Sequence, residues 1–165
     1  MNGVRRAARG ASGALLFALC IAGLTRLGTA APETVSITLP ASIGFIVTNL
    51  NGTATGTGPA RVSFSSAVLK PNRAVSVSVK ADGDFVPPSG AAIPASCLSW
   101  KTSNVTNGVG SNGTVSKTVY TQLFLGNDNA VSGGVDVTWT LGPITTVPRA
   151  GTHSLTLRWR IEAVH

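Results

Sequence analysis

An all-β fold of two packed antiparallel sheets is what this sequence predicts, from three observations. Apolar residues recur at every second position in stretch after stretch, the rhythm of strands with one buried and one wet face. Clusters of Gly, Pro, Asn and Asp separate those stretches at short spacing, as turns do. No amphipathic helical period follows the first thirty residues. The chain has 165 residues, 43% hydrophobic and only 12% charged, enough for one domain with a real core.

The first thirty residues read as a secretory signal peptide, leaving 31–165 as the β-sandwich domain. Arg5, Arg6 and Arg9 make a basic start, Ala14–Leu24 is an apolar run, and Gly28-Thr29-Ala30 offers small residues for cleavage. The run is too short for a membrane span, which takes about 20 residues; contact with a membrane is expected only through this segment, if it stays uncleaved. Leu19 before Cys20 does not fit a lipoprotein box. Of 13 basic residues four lie in this segment, which leaves nine against six acidic ones. That balance is too mild for a nucleic-acid partner. The expected location is outside the cytoplasm, secreted or in the cell envelope.

In the domain, Val35, Ile37 and Leu39 give a first strand, broken at Pro40, and Ile43, Phe45 and Val47 continue it or form a second. Asn49–Pro59 is a Gly/Thr-rich loop. Val62, Phe64, Ser66 and Val68 form the next strand; Val75, Val77 and Val79 form another, closed by Asp82-Gly83. Phe85–Ser96, with three prolines, is a loop. Leu98 and Trp100 form a short strand, and Ser103–Gly113 a polar loop. Thr114–Leu125 reads as one long strand with a bulge, because Val115 and Val119 share one phase and Tyr120 and Phe124 the other. Val135, Val137, Trp139 and Leu141 form the penultimate strand. The last, from Gly151 to Val164, alternates without a break: Leu155, Leu157, Trp159, Ile161 and Ala163 inward, Thr156, Arg158, Arg160 and Glu162 outward. It is expected at the centre of a sheet, paired with Val135–Leu141 as a hairpin. Seven to nine such strands suit an immunoglobulin-like sandwich; a small barrel is the other architecture open to them.

No catalytic set emerges, so the chain reads as noncatalytic and without a cofactor. His153 and His165 have no metal spacing, Cys97 is the single cysteine of the domain, and no nucleophile elbow or phosphate loop occurs. Asp82, Asp84 and Asp128 are candidate calcium ligands from two loops, weighed against plain turn formation. Arg149, Arg158 and Arg160 are candidate contacts for an anionic polymer or for a partner's carboxylates, weighed against a solvated strand face. The three Asn-x-Thr triplets at Asn51, Asn104 and Asn112 occur readily by chance in so Asn/Thr-rich a chain.

The elements around Val135-Asp-Val-Thr-Trp139-Thr-Leu141 and Ala150-Gly-Thr-His-Ser-Leu-Thr-Leu-Arg-Trp159-Arg160-Ile161 resemble the closing strands of bacterial WxL-type cell-surface domains and of secreted immunoglobulin-like modules. Trp139, Leu141, Trp159 and Ile161 are the matching positions; Arg158 and Arg160 beside the second tryptophan depart from the pattern. The resemblance covers about a fifth of the chain and implies noncovalent attachment to a Gram-positive cell wall. The expected function is adhesion or cell-wall association at the bacterial surface, with a cell-wall polymer or another surface protein as partner. Two alternatives stand beside it. One is a pilin-like or sheath-like subunit that self-associates by strand addition, with Ala31–Leu39 as donor and the last strand as groove edge. The other is a calcium-dependent carbohydrate-binding module.

Overall fold

Two stretches of clean alternation, Ala74–Ala81 and Gly133–Leu141, become inner strands of two sheets. The computed structural model describes residues 31–165 apart from Pro59; the expected signal segment, with Cys20, lies outside them. Strand β4 (Ala74–Ala81) is buried along nearly its whole length, Ser76 and Ser78 included, as suits a strand flanked on both edges. Strand β9 (Gly133–Leu141) sends Val135, Val137, Trp139 and Leu141 inward.

One sheet runs β1 (Thr34–Thr38), β3 (Ala60–Val68), β9, β5 (Leu98–Thr106), β7 (Gly113–Thr114), with the two-residue β2 (Ala54–Thr55) pairing the end of β9. The other runs β10 (Leu157–Val164), β4, β8 (Thr121–Gly126), β6 (Gly108–Gly110). Every pairing is antiparallel. The inner faces meet in one apolar core. Phe64 of β3 lies 6.0 Å from Phe124 of β8, and Trp139 meets Trp100 at 5.6 Å and Trp159 edge-on at 6.4 Å.

From β3 onward consecutive strands alternate between the sheets, so none of them forms a hairpin with the next. This corrects two expectations. The last strand is not central: among the described residues β10 is an edge that pairs with β4 alone. Nor does it pair with β9, which lies in the other sheet between β3 and β5. Regular pairing also begins at Leu157; Leu155 belongs to the approach, where Val86 and Ser154 make an isolated bridge.

Three further differences have local causes. Thr114–Leu125 is not one bulged strand. Ser116 Oγ accepts the backbone N–H groups of Thr118 and Val119, and this turn carries the chain from β7 to β8 in the opposite sheet. Val115 is therefore buried while Val119 is exposed. In β3, Ser66 has φ +53°, and the inward phase shifts from Val62 and Phe64 to Ala67, leaving Val68 outside. The expected loop at Ser103–Gly113 is instead partly strand, since β5 continues to Thr106 and β6 follows it.

Ile43, Phe45 and Val47 are in no strand. Ile43 and Phe45 pack over Gly56, where an added Cβ would lie 2.5 Å from Ile43. The nearby backbone is held at Gly44, whose carbonyl accepts the Thr57 N–H and whose N–H reaches the Thr57 hydroxyl. No helix among the described residues is long and apolar enough to cross a membrane.

Candidate functional site

The alternation of strands leaves β10 without a neighbour on its outer side among the described residues, and a groove opens there between the sheets. Its volume is about 960 Å³. Trp139 and Leu141 of β9 and Leu98 of β5 supply the floor, with Phe85 and Ile93 at one end. The irregular segment from Pro40 to Leu50 forms one wall, and the approach to β10 from Pro148 through Leu157 to Trp159 forms the other. Ile46, in the Pro40–Leu50 segment but outside the groove's lining, is 81% exposed. Leu157, Trp159 and Ile161 are only half-buried, whereas the same phase of β4 and β9 is sealed. Two polar atoms in these linings are buried without a hydrogen-bond partner, Trp139 Nε1 and His153 Nδ1; His153 Nε2 lies 3.0 Å from the Arg149 carbonyl.

The backbone of β10 can be sorted by its partners. The Asp82 N–H donates to the Thr156 carbonyl at 2.9 Å, and the ladder continues in register from Leu157 opposite Ala81 to Val164 opposite Ala74. In an antiparallel pair the hydrogen-bonded positions recur at every second residue. Arg158, Arg160 and Glu162 therefore turn their N–H and C=O groups to β4, while Leu157, Trp159, Ile161 and Ala163 turn theirs away from it. At the far end Arg73 donates to the Ala163 carbonyl and pairs with Glu33 at 2.6 Å. Leu157, Trp159 and Ile161 have no such partner among the described residues.

The outer face of β10 carries the arginines singled out from sequence. Arg158 donates to both carboxylate oxygens of Asp82, at 2.7 and 2.9 Å. Arg160 pairs with Glu162 at 3.1 Å and lies over the Tyr120 ring at 4.7 Å; Lys80 shares that ring at 5.1 Å. Arg158 and Arg160 do share a face, but each already has a carboxylate. Arg149 is apart from them, in the groove wall with its side chain against Gly90.

The three aspartates do not converge. Asp82 holds Arg158; Asp84 accepts from Lys117 at 2.8 Å and from the Ala95 N–H, tying down the proline-rich loop. Asp128 lies by the turn before β4, where Asn129 bonds to Asn72 and Arg73, so the length of that strand separates it from the other two. No group of three or more His, Cys, Asp or Glu side chains able to hold a metal occurs among the described residues.

Hydrogen bonds from Arg158 hold Asp82 below the ordinary carboxylate range and raise Arg158 in turn. Lys117 and the Ala95 N–H do the same for Asp84, and Asn104 with Arg61 for Asp136. Burial, followed by the charge of Asp84, pushes the Cys97 thiol up. A raised pKa makes Cys97 a poor nucleophile, and its Sγ sits 3.6 Å from the Pro143 carbonyl.

Sequence reasoning found the apolar phase of β10 and its arginines but missed the groove. The signal available was the strand-like pattern at Ile43, Phe45 and Val47, a second apolar wall without an assigned partner. No family model, curated protein or solved structure matches the chain.

Proposed function

We propose that the protein is an exported, noncatalytic binding module of the bacterial cell surface, an immunoglobulin-like sandwich in the broad sense of two packed antiparallel sheets. The observation that carries this reading is the groove between the sheets, floored by Trp139 and walled by Trp159. A space of that size with an aromatic lining suits binding of an extended ligand. A cell-wall polymer or a segment of another surface protein is the ligand class that this reading names.

The test is fractionation of cells producing the full chain, followed by pull-down of the purified protein with isolated wall material. Retention in the envelope fraction, and binding weakened by Trp159→Ala, are expected. A protein recovered wholly in soluble fractions that binds no wall material would overturn the reading.

A second reading, an assembling structural subunit, is favoured by the unpaired edge of β10. The expected donor, Ala31–Leu39, contains Thr34–Thr38, which pairs here with β3 of the same chain.

A further inference from the structure

From the unpaired edge of β10 and its charge order we infer that two copies of the protein pair through β10, antiparallel across a two-fold axis, to make one continuous eight-stranded sheet. A closed dimer takes the place of a growing assembly in this inference; it shares the open edge of β10 with the groove but does not depend on which ligand the groove takes.

The backbone sets the geometry. Leu157, Trp159 and Ile161 present N–H and C=O groups outward at every second residue, a pattern that another extended strand satisfies. The side chains select the partner. Along the outer face the order is Arg158, Arg160, Glu162. With Ile161 opposite Ile161 of the second copy, Arg160 stands opposite Glu162 of the second copy, and Glu162 opposite its Arg160. The sequence is thus its own complement in this register, as a two-fold interface requires. Arg160 and Glu162 already meet at 3.1 Å within one strand, both about half exposed, so they can exchange partners without desolvation.

On the inner face the same register sets Trp159 opposite Ala163 of the second copy. The half-buried strip of Leu157, Trp159 and Ile161 then continues into its own image. The Ala163 carbonyl, which accepts from Arg73, has a second lone pair for the incoming Trp159 N–H. The pairing closes on itself, so it gives dimers and not fibres.

Sedimentation of the purified protein over a concentration series tests this. The expected result is a reversible monomer–dimer equilibrium. Arg160→Glu sets two carboxylates opposite each other twice over and is expected to weaken the dimer by about tenfold or more. The exchange Arg160→Glu with Glu162→Arg restores it. Ile161→Pro removes an outward N–H that β4 does not use, and is expected to give a monomer with unchanged far-ultraviolet circular dichroism. If that variant misfolds, the charge exchange alone decides, because both charged side chains lie on the solvated face. A protein that stays monomeric, a dimer indifferent to the charge exchange, or open-ended filaments would each overturn the inference. Wall binding that persists in the monomeric variants would leave the proposed function standing.

Discussion

Trp139 and Trp159 stand 6.4 Å apart on facing sheets and do different work. Trp139 is wholly buried, and Trp139→Ala is expected to cost about 3–5 kcal/mol, measured by denaturant unfolding. Trp159 borders the groove, so Trp159→Ala is expected to cost less than half as much while cutting ligand binding. Equal losses of stability would mean that the groove is closed in solution. The charged residues give a pH signature. Asp82, Asp84 and Asp136 have folded pKa values below their ordinary 3.8. What they contribute is present above that value and lost as pH falls through the lower, folded one. Thermal melts are therefore expected to be flat from neutral pH down to about pH 4 and to fall below it. A steep loss between pH 5 and 7 would contradict this, since no carboxylate in these pairs titrates there. Because Asp82 and Asp84 already hold Arg158 and Lys117, millimolar calcium is expected to leave the melting temperature unchanged; a clear rise would restore the calcium site.

At the scale of elements, alternation told which residues point inward but not which sheet receives them. Val75, Val77 and Val79, and Val135 through Leu141, were legible because their period is unbroken and both strands are flanked by neighbours. The slip between Val119 and Tyr120 was legible as an irregularity. A bulge and a change of sheet leave the same mark in sequence, however, and only the Ser116 turn separates them. Ser116→Ala is expected to destabilise the fold by about 1 kcal/mol, with exchange of the Thr118 and Val119 amides accelerated. Gly108 is another hidden constraint. An added Cβ there would lie 2.4 Å from the Leu125 carbonyl oxygen and 2.6 Å from the Phe124 ring, so Gly108→Ala must push β6 away from β8. Nothing in the local pattern of Asn107-Gly108-Val109 distinguishes this from an ordinary turn glycine, because the clash is with residues far along the chain.

The whole molecule follows from strict alternation of strands between sheets. Such a path places β9 and β4 centrally and makes the last strand an edge, although its own pattern is as regular as theirs. Regularity of alternation reports burial of one face and is silent about how many neighbours a strand has, which is why β10 was expected at a centre. The all-β class with two antiparallel sheets, most of the core and the outward arginines could be read from the chain. The groove could not, since it depends on two walls about a hundred residues apart. Binding and assembly both rest on one claim, that the outer edge of β10 is open. Residue-resolved hydrogen exchange in dilute protein tests it most directly. The account predicts alternation along β10: slow exchange at Arg158, Arg160 and Glu162, whose amides face β4, and fast exchange at Leu157, Trp159 and Ile161. Uniform protection from Leu157 to Glu162 would show that another segment covers the edge and would contradict the account.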